Sequence, residues 1–341
     1  MSNILVTGAT GFIGRNLVER LVGDGYRVTC LIRREAPPSL RSFDVVGHLG
    51  NMSDPESLRA AVAGQDVVFH LAGMVAALRK SELDRVNVEG TRNLAAACAG
   101  VSNPPVLVYV SSLAAAGPVI AGRPRIESDP PAPVSDYGRS KHRAELAARE
   151  FADRVPITII RPGIVFGPYD AALLIAFRSP YYFRFHASPR RGNARYSLIH
   201  VAELIEVLLG AARDGDRISV EELQASGTEA DPRGLYFASC GTDPTYRELG
   251  RMMGRELGRK VTVPISSPMP MVWAASAMNS LLARLKGKPT YFGLDKAREI
   301  AAGSWQCSPE RARHDLSFQP VVPLAQRIRE TGEWYLEHGW L

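Results

Sequence analysis

The chain has 341 residues, enough for one large domain or two modest ones around a shared core. With 45% hydrophobic and 22% charged residues it reads as an ordinary globular protein and not a disordered one. A net charge of +6 does not by itself point to nucleic acid, because bases and acids are interleaved and the pairs Arg33-Arg34 and Arg190-Arg191 suit a local anionic ligand equally well.

The four cysteines, Cys30, Cys98, Cys240 and Cys307, fit no metal spacing and read as free thiols in a reducing compartment, so no metal is expected. The first strand begins by residue 3 and no apolar run is long enough to span a bilayer. A cytoplasmic location is expected.

Ile4-Leu5-Val6 reads as a buried strand that runs into Gly8, Thr10, Gly11, Phe12, Ile13 and Gly14, the turn into a helix over Arg15 to Val22. Glycines three apart permit a tight turn, close approach of backbone to a pyrophosphate, and close packing of helix on strand. The helix N-terminus offers N–H groups to the anion. A second strand, Tyr26 to Ile32, ends in Arg33 and Arg34 with no acid between Tyr26 and Arg34. An acid there would take the ribose hydroxyls of NAD, whereas arginine suits a 2′-phosphate, so NADP(H) is favoured over NAD(H).

Val45 to Leu49 reads as a third strand, and Ser53-Asp54-Pro55-Glu56 as a helix start with Ser53 or Asp54 as cap. A fourth strand from Val67 ends in Leu71, Ala72 and Gly73, small enough for a cofactor to pass close over it. A helix from Ser81 to Ala99, a fifth strand Val106 to Val110, a Pro-rich loop Arg123 to Pro133, a helix Asp136 to Phe151 and a sixth strand Pro156 to Ile160 follow. The alternation predicts an α/β Rossmann fold, a doubly wound parallel sheet with ligands at the carboxyl ends of its strands.

Residues 171–196 are aromatic and basic without period and read as a loop or lid. Strand and helix resume over Leu198 to Leu209, a strand over Leu235 to Ser239 returns to the sheet, and the remainder is mainly helical. The expected division is a dinucleotide-binding domain over 1–170 joined by 198–240, and a smaller, mainly helical substrate or lid domain over 171–197 and 241–341.

Tyr137 and Lys141 are four apart on a predicted helix, so the ammonium sits on the phenol's face and favours the phenolate. Such a pair donates a proton to a carbonyl or accepts one from an alcohol. Ser112, ending the fifth strand, is placed to hydrogen-bond the same substrate oxygen. His142, on a different helix face, reads as solvated.

The chain resembles the extended short-chain dehydrogenases/reductases, the superfamily that also holds NAD-dependent epimerases and dehydratases. The resemblance is carried by Thr7 to Gly14, His70-Leu71-Ala72-Gly73, Asn87-Val88-Glu89-Gly90-Thr91, Val110-Ser111-Ser112, Tyr137-Gly138-Arg139-Ser140-Lys141 and Arg161 to Pro168, in the family's order over about the first 200 residues. It implies Tyr137 as acid/base, Lys141 as its partner and ribose ligand, Ser112 as substrate-oxygen ligand and Asn87 as support of the proton relay. It further implies cofactor contacts from Ser111 and from Arg161, Pro162, Gly163 and Ile164 against the nicotinamide, and a homodimer through the helices Ser81 to Ala99 and Asp136 to Phe151. Asn51 stands where nucleotide-sugar members usually carry aspartate, which weakens an adenine contact. The ending Leu31-Ile32-Arg33 is similar to dihydroflavonol-reductase-like members, and the segments Gly303 to Ser308 and Trp334 to Leu341 to the branch near 3β-hydroxysteroid dehydrogenases.

Apolar residues crowd 177–185 and 269–285, the latter followed by Lys286 and Lys288, which suits a bulky hydrophobic small-molecule substrate and a peripheral contact of 269–288 with the inner face of a membrane. The expected reaction is interconversion of a ketone and a secondary alcohol on a sterol-like or long-chain keto-lipid such as a ketosphinganine or oxidised ceramide. The alternative is a nucleotide-sugar epimerase or dehydratase with tightly bound NAD, for which Arg184, Arg190, Arg191 and Arg195 offer phosphate ligands. A third possibility, a cofactor-sensing protein without chemistry, is disfavoured by the intact Ser112, Tyr137 and Lys141.

Overall fold

The structure is a computed structural model in which residues 2–35, 38–189, 193–219, 233–259 and 263–341 are described. Arg190 and Arg191 lie outside those residues. The strands β1 (Asn3–Thr7), β2 (Arg27–Ile32), β3 (Val45–Leu49), β4 (Val67–His70), β5 (Val106–Val110), β6 (Ile157–Pro162) and β10 (Leu235–Ala238) form one seven-stranded sheet in the order β10-β6-β5-β4-β1-β2-β3. Every pairing in it is parallel. The strand order reverses between β1 and β4, where Thr7 faces His70 in register, and this is the switch point at which doubly wound sheets bind ligands.

Alternate residues of each strand go to opposite faces, because the side-chain period of a strand is two. Ile4 and Val6 pack with Leu17, Val18 and Leu21 of α1 (Phe12–Gly23) and with Leu204 and Leu208 of α9 (Val201–Arg213). Leu5, between them, packs on the other face with residues of α3 (Pro55–Val62), α5 (Gly90–Ala99) and α7 (Asp136–Arg149). Both faces being covered explains why the strands read as continuous apolar runs. Truncating a residue such as Leu5, which is fully buried, to alanine costs about 2–5 kcal/mol.

Two departures from the expected elements bear on the site. The predicted helix Ser81 to Ala99 is α4 (Lys80–Leu83) and α5 joined by a π-helical turn, Asp84–Glu89. Such turns concentrate at functional sites, and this one holds Asn87. The segment read as a loop contains α8 (Leu174–Phe183) despite Pro180, followed by β8 (Phe185–Pro189). Tertiary packing overrides the missing period there: Leu174, Phe177 and Pro180 are buried, and the Phe177 ring meets Tyr335 of the last helix edge to face at 5.2 Å. β8 pairs in parallel with β11 (Val263–Ser267), and β7 (Ile164–Phe166) with β9 (Leu198–His200), in two small separate sheets. The rest of the second half comprises α10 (Tyr246–Glu256), α11 (Met269–Lys286), α12 (Leu294–Ala302), α13 (Glu310–Asp315) and α14 (Leu324–Glu337).

Candidate active site

The glycine turn is shaped for a close-lying ligand. Gly8 has φ +75°, and a Cβ on it would stand 2.7 Å from the Ala72 nitrogen; one on Gly14 would stand 2.2 Å from the Gly8 carbonyl oxygen. Helix α1 starts after Gly11 with no side-chain cap and no acid in its first turn, so no side-chain carboxylate competes with an anionic ligand for its leading N–H groups. Thr10 and Gly11 form the exposed lip, while Phe12 and Ile13 pack inward against the core. These features fit the pyrophosphate of a dinucleotide. Arg33 and Arg34 follow β2 directly and are exposed, and Glu35, the nearest acid, is engaged by Arg41 at 3.2 Å. Asn51 is exposed, its Oδ1 accepting from the Ser53 amide at 2.8 Å. Asp54 caps the helix after it.

At the end of β4 the Leu71 amide donates to the Thr7 carbonyl, and the Ala72 amide to the Thr7 hydroxyl, both at 3.2 Å. His70 is fully buried between Thr7 (2.8 Å from Nδ1) and Thr91 (2.9 Å from Nε2). The Thr91 hydroxyl donates to the Asn87 carbonyl, so Nε2 carries the proton that it gives to Thr91, and Nδ1 accepts from Thr7. Burial, with Lys141 adding to it, pushes His70 down to about 3, and it stays neutral. Its role is structural, fixing the switch point.

Asn87, buried, accepts from the Met74 amide (2.7 Å) and donates to the Met74 carbonyl and to the Ser140 hydroxyl (both 2.9 Å). Ser140 in turn donates to the Tyr137 carbonyl at 2.7 Å. The π-helical turn thereby ties the loop after β4 to the start of α7. Gly73 lies between: a Cβ there would be 3.2 Å from Asn87 Oδ1 and 3.7 Å from Lys141 Nζ.

Ser112 caps the short helix α6 (Leu113–Ala116) by accepting from the Ala114 amide at 3.1 Å. The same hydroxyl reaches the Tyr137 phenol and lowers its pKa against burial, which together with Glu299 and Tyr291 pushes the phenol up to about 12. This differs from the phenolate-favouring effect expected of Lys141. The Lys141 ammonium donates instead to the Val110 carbonyl at 2.7 Å and lies 4.5 Å over the Tyr109 ring. Burial, which disfavours the charged ammonium, pushes it down to about 7, opposed by the Glu145 carboxylate.

Behind the site Arg161 and Glu145 form a buried two-pronged ion pair, at 2.9 and 2.6 Å, and the Ser111 hydroxyl donates to the same carboxylate. The Ser111 side chain is therefore committed to Glu145. Burial raises that carboxyl, but Arg161 outweighs it and holds Glu145 well below the usual carboxylate range. His142, expected in solvent, lies 3.7 Å from Glu145. Pro162, Gly163 and Ile164 continue from β6, held by the Ile164 amide donating to the Ser197 carbonyl at 2.9 Å.

Four contributors escaped the sequence: Asp295, Glu299 and Lys296 of α12, and Arg125. Asp295, on α12, accepts from the backbone amides of Asp136 (2.7 Å) and Tyr137 (3.0 Å), and Glu299 accepts from Ser135, the cap of α7 (2.8 Å). Lys296 donates to Glu299 at 2.8 Å. No local motif marks a cap supplied from 159 positions away. Arg125, in the loop read only as Pro-rich, is fully buried and donates to the carbonyls of Pro118 and Pro130 at 2.8 Å and to that of Ala116, holding the loop after α6 in place. Its only sequence mark is an arginine inside a run of prolines.

A cleft of about 620 Å³ is lined by Asn193, Ala194, Ser266, Pro268, Met269, Gly303 and Ser304. Gly303 and Ser304 directly follow α12. No group of histidine, cysteine and carboxylate residues suited to a metal occurs among the described residues.

The model of the NAD dependent epimerase/dehydratase family matches residues 4–223. A ceramide reductase of Caulobacter vibrioides is 29% identical, over 99% of this chain and 96% of its own. A decarboxylating sterol-4-alpha-carboxylate 3-dehydrogenase of Candida albicans is 24% identical, over 99% and 98%. Among solved structures, a dTDP-glucose 4,6-dehydratase of Bacillus anthracis in complex with NAD superposes with a TM-score of 0.75 at 18% identity, covering 99% of this chain and 97% of that one. The chain belongs to the NAD dependent epimerase/dehydratase family and is an oxidoreductase of the extended short-chain dehydrogenase/reductase type.

Proposed function

We propose that the protein is an NADP(H)-dependent reductase that interconverts a ketone and a secondary alcohol on a bulky hydrophobic molecule, a sterol-like compound or a long-chain keto-lipid such as a ketosphinganine or oxidised ceramide. The observation that carries this is the contact between Ser112 and Tyr137 at the carboxyl end of β5, on the same sheet edge as the glycine cradle. The bound nicotinamide supplies or takes the hydride. Ser112 donates to the substrate oxygen and holds it near the phenol; Tyr137 gives that oxygen its proton on reduction and removes it on oxidation. A phenol pushed up by burial is fully protonated at neutral pH, which favours the reductive direction. Lys141 holds the ribose, and Asn87 positions Tyr137 through Ser140. Gly8 to Gly14, Leu71 to Gly73 and Pro162 to Ile164 are assigned to the cofactor, with residues 1–170 and 198–240 forming its domain and the remainder that of the substrate.

Preference for NADP(H) is supported by Arg33 and Arg34, exposed past β2 with Glu35 already paired. The apolar substrate is supported by the two relatives, which are named for action on a ceramide and a sterol. Four buried free thiols support a cytoplasmic location. A homodimer through α5 and α7 belongs to the same proposal, Leu146 of α7 being exposed. The alternative, a nucleotide-sugar epimerase or dehydratase, has Arg195 in its favour, next to the cleft-lining Ala194. Purified protein distinguishes the two. Exchangeable cofactor with tighter binding of NADPH than NADH supports the reductase, and NAD+ that co-purifies and resists exchange supports the epimerase.

A further inference from the structure

Helix α11 is built inside out. Met271, Met278, Leu281, Leu282 and Leu285 recur at the spacing that places side chains on one face of a helix, a stripe about 100° wide. In an ordinary surface helix that stripe faces the core. Here it faces solvent: Met271 is 63% exposed, Met278 56% and Leu285 75%, while the buried positions are the small Ser276 and Ala283. Exposing this much aliphatic surface is unfavourable by about 25 cal/mol per Å² unless something covers it.

The charge around the stripe selects what covers it. No acidic residue occurs between Glu256 and Asp295, whereas Arg284, Lys286 and Lys288 cluster at the helix's carboxyl end and are exposed. A second copy would meet this patch with the same patch, bringing cations and no acid to the seam. A bilayer with anionic headgroups supplies both an apolar layer for the stripe and counter-charge for the cations. The helix's 18 residues extend about 27 Å at ~1.5 Å per residue, and no helix among the described residues is long and apolar enough to cross a membrane, so α11 lies along the surface.

The amino end of the same helix forms part of the cleft, through Pro268 and Met269, with Ser266 just before them. We propose that α11 docks the protein on an anionic lipid surface with the cleft mouth against the headgroup layer, so that an apolar substrate passes from bilayer to cleft without crossing water. Docking itself is independent of the proposed reaction; only the delivery of substrate rests on it.

The test is co-sedimentation of the full chain with phosphatidylcholine vesicles, with and without about a third phosphatidylglycerol, in the absence of substrate. Binding is expected to the anionic vesicles and to weaken with added salt. M278E/L285E should abolish it, and replacing Arg284, Lys286 and Lys288 by glutamine should weaken it by roughly fivefold per charge removed. Melting temperature and NADPH binding, unchanged in both variants, keep misfolding from counting as support. Absence of binding to anionic vesicles overturns the proposal. So does wild-type protein whose oligomer dissociates in M278E/L285E without any vesicle binding, which would assign the stripe to a contact between copies. Vesicle binding by a chain that fails to reduce ketones leaves docking standing and rejects the proposed reaction alone.

Discussion

The carboxylate of Asp295 accepts the backbone N–H of Tyr137 at 3.0 Å, so a helix of the second half holds the start of the helix that carries the candidate acid/base. It also takes the Asp136 amide, while Ser135 serves Gly138, which leaves the first turn of α7 fully capped. Asp295→Ala should destabilise the fold by about 1 kcal/mol, as loss of a cap does, and lower kcat more than it raises KM. Asp295→Asn keeps one acceptor and should recover most of both. Thermal melts and steady-state kinetics on the two variants check this; equal kcat in wild type and Asp295→Ala would remove the coupling.

Tyr137→Phe removes the proton donor and leaves the ring. The expected loss is about 10²–10⁴-fold in kcat, with NADPH affinity unchanged. Ser112→Ala should cost about 10²-fold or more by releasing the substrate oxygen. Single-turnover rates together with NADPH titrations separate the two effects.

The direction of the reaction should set its pH dependence. With Tyr137 pushed up to about 12, oxidation needs the deprotonated phenol, whose fraction rises tenfold per pH unit below the pKa. Oxidation should therefore accelerate with pH, whereas reduction stays level through neutral pH. Rate profiles measured in both directions, each at saturating cofactor, are the check.

Glu145 and Arg161 should govern acid stability. Glu145 has a folded pKa below its unfolded value of 4.5, so its contribution is present above about that pH and is lost as pH falls through the folded pKa. Glu145→Gln leaves Arg161 buried with half its partner and should cost about 3–5 kcal/mol at neutral pH, while flattening the loss of stability in acid. Denaturant melts from pH 3 to 7 read both.

Arg33 and Arg34 should carry the choice of dinucleotide. Replacing both by alanine removes charge-assisted bonds worth about 1.5–3 kcal/mol, roughly 10–100-fold in NADPH affinity, and should leave NADH binding unchanged. An equal effect on both cofactors would place the arginines away from the 2′-phosphate.

Much of this was legible in the sequence because it is local. The strands of the sheet announce themselves as short apolar runs, and β10 was expected back in the sheet from Leu235 onward, where it does pair with β6. Thr7 to Gly14 form a short motif whose spacing encodes the glycine turn, and Ser112 and Tyr137 lie in short motifs at the end of β5 and the start of α7. What stayed hidden depends on distant contacts or on competition among them. The cap that Asp295 gives Tyr137 joins residues far apart, α8 forms through burial against Tyr335 in spite of Pro180, and Lys141 turns to the Val110 carbonyl because burial decides where its protons go. Periodicity does show the stripe on α11, but not that it faces outward, since the same spacing serves a buried helix.

The central claim is most directly tested by following the hydride. Protein supplied with NADPH deuterated at nicotinamide C4 and with a long-chain or sterol ketone should form the secondary alcohol with one deuterium on the former carbonyl carbon, in one configuration, and consume one NADPH per alcohol. Wild-type protein that leaves such ketones unreduced, yet inverts or dehydrates a nucleotide sugar with no net use of cofactor, would contradict it.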